Sequence, residues 1–179
     1  MSRLIGLVRG INVGGKAKLP MQTLRDLLEG LGFTRVQTLL ASGNVVFETK
    51  AAKPSHLEKL LDKAIRDRVG MEVDFFVRTY AEMREAINEN PFPREAANDP
   101  GRFILLFLKK DVPPADLDAL RAAIKGRERL VTVGRHAYVI YPDGQGTSRL
   151  TNAVLERHLG RCTARNWNTV LKLADLAAQ

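Results

Sequence analysis

The chain has 179 residues, 45% hydrophobic and 27% charged, with a formal charge of +8, which is ordinary for a soluble globular protein long enough to bury a real core. No apolar run approaches the roughly 20 residues that span a bilayer, and the short apolar stretch at the N-terminus is broken by Arg9, which excludes a secretory signal. The lone Cys162 excludes an internal disulfide framework and fits a reducing compartment, so a cytoplasmic location is expected.

The positive charge is unevenly spread. Residues 1–90 carry 14 basic and 11 acidic side chains, whereas residues 125–172 carry 9 basic and 3 acidic ones. The closing third therefore holds most of the excess. It reads either as an anion-binding surface or as a solvated basic face.

In chain order, residues 4–8 form an apolar run ending at Arg9 and are expected as a buried strand. GINVGGKAK follows as a loop. Pro20 opens an amphipathic helix with Met21, Leu24, Leu27, Leu28 and Leu31 on one face, closed by Gly30 and Gly32. Residues 36–40 and 45–49 read as strands around the turn-forming Ala41-Ser42-Gly43-Asn44. Pro54 starts a second helix with Leu57, Leu60, Leu61, Ala64, Ile65 and Val69 inward, stopped by Gly70, and residues 73–78 give a fourth strand. This β-α-β-β-α-β order is the ferredoxin-like arrangement. Right-handed crossovers would set the first and third strands side by side and antiparallel. Arg9, Gly10 and Asn12 would then meet Ser42, Gly43 and Asn44 on one edge.

A helix over about residues 80–88 leads to NPFPREAANDPG, whose prolines and glycine mark a boundary. The expected division is a ferredoxin-like subdomain over 1–90, a linker over 91–101 and a second α+β subdomain over 102–179. In the second part, residues 103–108 read as a strand and 114–124 as a helix. Residues 130–133 and 138–141 form a hairpin, Ser148 caps a helix over 149–159, and a last helix covers 167–177. The pattern is β-α-β-β-α-α, a related plan with a helix in place of the last strand. The fold class is α+β with two subdomains.

RGINVGGK, LGFTRVQTLLASGNVVF, NPF and TARNWNTVLKL, in that order and spacing, resemble the bacterial DUF1697 family over nearly the whole chain. Leu39-Leu40 stands where that family has an aromatic before SGN, a conservative departure. The resemblance implies an α+β fold with a ferredoxin-like N-terminal part. It brings no established activity.

Several segments compete as sites. RGINVGGK has the GxxxxGK spacing from Gly10 to Lys16, but Ala17 occupies the Ser/Thr position that would hold magnesium, and Lys16 precedes the helix by several residues. That argues against a nucleoside triphosphatase loop and leaves a looser anion cradle with Lys16, or a simple turn. Ser42 and Asn44 belong to a turn sequence that sits beside Arg9 and Asn12 as a polar edge. In TARNWNTVLKL, Trp167, Val170, Leu171, Ala174 and Ala177 share a helical face, which makes Trp167 a core anchor rather than a base-stacking platform. The start of that helix, with Asn166, Thr169 and the preceding Arg161 and Arg165, reads either as an anion site or as a cap. His56, His136 and His158 lack metal-ligand spacing, Cys162 reads as inert, the sequence singles out no catalytic residue, and no metal or cofactor is expected.

The first functional expectation is therefore a protein binding a phosphate-bearing ligand, nucleotide or nucleic acid. Arg9, Asn12, Lys16, Ser42, Asn44, Arg165, Asn166 and Thr169 would line its site. The alternatives are a small metal-independent enzyme acting on an anionic metabolite, or a scaffold or self-associating protein whose motifs serve only turns and caps.

Overall fold

A computed structural model describes residues 1–12, 17–50 and 53–179. It divides into two compact units: Met1–Glu85 together with Lys172–Gln179, and Ala86–Leu171. Both divisions fall inside helices.

The first unit runs β1 (Ser2–Val8), α1 (Met21–Glu29), β2 (Thr34–Leu39), β3 (Asn44–Thr49), α2 (Pro54–Val69), β4 (Phe75–Thr79) and the start of α3 (Tyr80–Asn88). Its sheet has the order β2-β3-β1-β4. All neighbours are antiparallel, and β1 and β3 form the central pair as expected, with Gly6 opposite Val45 and Leu7 opposite Asn44. The period-two alternation sends Leu4, Val8, Val45, Phe47, Phe75 and Val77 to one face. There they pack with Leu24, Leu27 and Leu28 of α1 and Leu57, Leu61 and Ile65 of α2. Phe33 stacks on Phe47 at 4.9 Å, and complete burial of Phe47 stabilises the unit by about 2–3 kcal/mol. Helix α2 ends as its glycine requires: Gly70 is left-handed and its N–H returns to the Arg66 carbonyl at 3.0 Å. Leu60 departs from the expected inward face and is 42% exposed, because Leu57, Leu61, Ala64 and Ile65 already fill the stripe.

The second unit holds the end of α3, then α4 (Pro93–Asn98), β5 (Phe103–Leu108), α5 (Pro114–Ala123), β6 (Arg129–Val133) and β7 (His136–Ile140). A 3-10 turn over Gln145–Thr147, α6 (Asn152–Leu159), β8 (Cys162–Asn166) and the start of α7 (Trp167–Ala178) complete it. The sheet order is β6-β7-β5-β8. Each unit therefore orders its strands second, third, first, fourth. The strand β8 was not expected from the sequence, which reads as two consecutive helices there. Cys162 and Ala164 face the core with Ile104, Leu106 and Val139, while Thr163 and Arg165 face the other side of the sheet. Alternation is thus present, but Ala, Arg and Asn are poor strand formers, and pairing with β5 decides the outcome. Two further details differ. Thr151, not Ser148, caps α6 by accepting from Val154 N. On α7, Trp167, Val170, Ala174 and Ala177 are buried as expected, but Leu171 is 38% exposed and Leu173 is buried as well. Trp167 is a core residue, 4.9 Å from the Phe103 ring.

Candidate functional site

The polar edge expected in the first unit forms where β1 leaves the sheet beside the β2–β3 turn. Val8 N donates to Gly43 O at 2.8 Å, and Gly43 leaves no room for a side chain, since a Cβ would lie 2.7 Å from Ile11 Cδ1. Close approach of the two segments thus depends on glycine at a φ of +78°.

The functional groups on this edge are largely engaged with their own backbone. Asn12 Nδ2 donates to Leu19 O at 2.8 Å and to Ala41 O at 2.6 Å, while its Oδ1 accepts from Leu19 N at 2.8 Å. Asn44 is completely buried, and its Nδ2 donates to Leu39 O and to Ser42 Oγ. Arg9 faces Asp74 at 3.6 Å. Lys16 lies outside the described residues.

Next to this edge is an open cavity of about 400 Å³ lined by Asn12, Lys18, Leu19, Pro20, Met21 and Ala41. It lies at the start of α1. Pro20 takes the N-cap position and supplies no side-chain acceptor, and the first turn carries no acidic residue. The helical ladder begins with Leu24 N donating to Pro20 O, so the N–H groups of Met21, Gln22 and Thr23 precede it. Lys18 is exposed and, among the described residues, is the ionic group of the lining. The glycine-rich spacing points to Lys16 and not to Lys18. The available signal was its place two residues before a proline-initiated helix, where the positive end of the helix dipole lies.

In the second unit, Arg165 and Asn166 end β8, and Thr169 lies in the first turn of α7. Asn166 Oδ1 accepts from Thr169 N at 3.0 Å and from Thr169 Oγ1 at 3.2 Å, an N-cap with a second bond. Arg165 is buried. Its Nη1 donates to Thr163 Oγ1 at 2.9 Å and to Ala164 O at 2.7 Å, and burial pushes its guanidinium down to about 10, still charged at neutral pH. Arg161 does not join them. It precedes β8 and is exposed, while Arg165 and Asn166 are at the strand's other end. The expected cluster of Arg161, Arg165 and Asn166 is therefore divided along the strand, because a five-residue strand is roughly 16 Å long at about 3.3 Å per residue.

Other groups of this unit also have shifted pKa values. The Ser148 hydroxyl, and then its own backbone N–H, hold the Glu128 carboxyl below its ordinary 4.5. Burial pushes the Tyr141 phenol upward, and its hydroxyl donates to Leu150 O. Among the described residues, no group of three His, Cys, Asp or Glu side chains is placed to hold a metal ion, and no helix is long and apolar enough to cross a membrane.

Fold and cavity define a mixed α+β protein of two related units, with a small-molecule-sized opening beside the first helix of one of them. The family described as "Protein of unknown function (DUF1697)" matches residues 1–138, so the chain belongs to that family; RGINVGGK, LGFTRVQTLLASGNVVF and NPF lie within the match, and TARNWNTVLKL lies beyond it. No curated protein matches it. Among solved structures, the conserved bacterial protein SP0830 from Streptococcus pneumoniae is similar, with a TM-score of 0.76, 24% identity and 98% of each chain covered. That likeness concerns the fold.

Proposed function

We propose that this protein binds a small phosphate-bearing ligand, of nucleotide size, in the cavity at the start of α1. One observation carries the reading: Lys18, an uncapped helix start and the apolar Leu19 and Met21 line the same opening of about 400 Å³. Small-molecule sites are mostly apolar concavities of about 300–1,000 Å³ with a few placed polar groups. Here the helix N-terminus and the Lys18 ammonium favour the anion, and Leu19, Pro20 and Met21 meet an apolar body. Asn12 shapes the wall, since its amide is occupied by Leu19 and Ala41. Arg165, Asn166 and Thr169 belong to the second unit and serve the start of α7.

The engagement of Asn12, Asn44 and Asn166 within their own loops favours a second reading, a scaffold with no ligand. A thermal-shift panel of nucleotides, sugar phosphates and their dephosphorylated counterparts separates the two. A ligand at about 100 times its Kd stabilises by about 2.7 kcal/mol, roughly 5–10 °C in a chain of this size. The shift should require the phosphate and vanish in Lys18→Glu and in the cavity-filling Met21→Trp. No shift across the panel defeats the binding reading and leaves the scaffold, whereas an undiminished shift in both variants defeats the assignment to this cavity.

A further inference from the structure

A sheet edge can be extended by another strand, and the edges of this chain differ in how they resist it. In the first unit, β2 is broken by a register shift between Thr34 and Gln37, with Arg35 at a φ of +49°. On β4 the N–H groups of Phe75, Val77 and Thr79 donate to Asp62 Oδ1 at 2.7 Å, Glu58 Oε1 at 2.9 Å and Glu82 Oε2 at 2.8 Å. In the second unit, the Ala164 carbonyl of β8 accepts from Arg165 Nη1 at 2.7 Å. Strand β6 is different. It pairs with β7 in unbroken register, from Arg129 opposite Ile140 to Val133 opposite His136. Residues 130–133 are Leu-Val-Thr-Val, without proline, glycine or charge.

The two-residue turn at Gly134-Arg135 makes Val133 and His136 a hydrogen-bonded pair, so Val131 with Tyr138 and Arg129 with Ile140 are hydrogen-bonded pairs too. The N–H and C=O groups of Leu130 and Thr132 therefore point away from β7. Among the described residues, none donates to these groups or accepts from them. Val131, Thr132 and Val133 are half-buried. The one charge of the strand is turned onto its own unit: Arg129 Nη1 donates to Glu95 Oε1 at 2.7 Å, and the guanidinium lies 4.7 Å from the centre of the Phe92 ring.

We propose that β6 pairs antiparallel with β6 of a second copy of this chain, about a two-fold axis at Val131. In that register Leu130 of each copy faces Thr132 of the other, and every outward N–H and C=O of the two strands is bonded. The two Val131 residues meet as a non-hydrogen-bonded pair, about 4.5 Å between Cα atoms, and Arg129 falls opposite Val133. A second copy suits this edge because the strand is its own complement. Its free donors and acceptors match under the two-fold, and the pairing brings no like charges together in a chain of net charge +8. Five residues a side make a contact well below the standard interface of about 1,600 Å², so the dimer is weak and concentration-dependent. This surface is independent of the α1 cavity, and either assignment stands without the other.

Sedimentation velocity of the full chain from about 5 to about 500 µM should show a monomer–dimer equilibrium. Thr132→Pro deletes one outward N–H from each copy and spares the ladder to β7, so it should weaken the dimer at least about tenfold. Val131→Lys sets two ammonium groups against each other at the axis and should act in the same direction. Gln37→Lys, an exposed change of equal charge on the bulged β2 edge, should leave association as it was. Circular dichroism verifies folding, and if the proline variant unfolds, Val131→Lys carries the comparison. Under mild oxidation Val131→Cys should give a disulfide-linked dimer, since the axis pair has the Cα spacing a disulfide needs, and Gln37→Cys should not. A chain that stays monomeric to about 500 µM overturns the proposal, even if it captures an extended peptide of another protein. A dimer undiminished in both β6 variants, or equal cross-linking through Gln37→Cys, overturns it as well.

Discussion

Asn12→Ala is the most informative single change in the first unit. It removes both amide donations, to Leu19 O and Ala41 O, and the acceptance from Leu19 N. Each bond contributes about 1 kcal/mol net, and the one to Ala41 is solvent-exposed and worth less. Leu19 is 1% exposed, so its N–H and C=O lose partners that water replaces poorly. Asn12 also holds a φ of +54°, a left-handed conformation that costs alanine about 1–2 kcal/mol. The sum is about 3–4 kcal/mol, which at about 2–4 °C per kcal/mol lowers the melting temperature by roughly 10 °C. Differential scanning calorimetry measures this directly. Asn12→Gly separates the two causes, because glycine lacks the bonds but adopts the φ freely, so it should melt no lower than the alanine variant. An Asn12→Ala protein melting within about 2 °C of the parent would refute the clamp, and the amide would then be free for a ligand.

Three other outcomes are expected. Asn166→Ala removes the cap of α7 and should cost about 1 kcal/mol in urea unfolding, with Asn166→Asp restoring most of it. Glu58→Ala leaves the fully buried Arg78 without its carboxylate partner at 3.7 Å and Val77 N without its acceptor, and should cost about 3–5 kcal/mol, readable in the same assay. Glu128 gives a pH signature: its folded pKa is depressed, so its stabilisation is present above the ordinary value of 4.5 and is lost as pH falls through the folded value. Ser148→Ala removes the main cause, and its melting temperature should therefore decline less steeply than the parent's between pH 5 and the acid limb, recorded by thermal scans.

The first unit was legible because each level of its sequence agrees. Leu24, Leu27 and Leu28 give α1 its face, Gly70 ends α2, and the run before Arg9 and the one after Asn44 are short and apolar. The convergence of Asn12 on the Ser42–Asn44 turn followed from topology alone. What the side chains do there did not follow, because an asparagine that clamps a loop and one that meets a ligand look the same in a sequence. Strand β8 escaped for a different reason. Cys-Thr-Ala-Arg-Asn carries almost no local signal, and its partner β5 lies more than fifty residues earlier. Lys18 carries no motif of its own, since the glycine-rich spacing ends on Lys16.

The division of the chain has a consequence for how it is made. Residues 172–179 belong to the first unit, where Arg3 donates to Leu176 O at 3.2 Å and Arg35 to Gln179 O at 3.1 Å. They are translated after the whole of the second unit. During synthesis the amino-terminal sheet must therefore wait, with this contact unmade, while another four-stranded sheet is built. A fragment cut near residue 90 is a permanent version of that intermediate, with Arg3 and Arg35 deprived of their carbonyls. Chains arrested on the ribosome before residue 172 should accordingly be more open to proteases in the first unit than released ones, with cleavage tracking how often the unit opens.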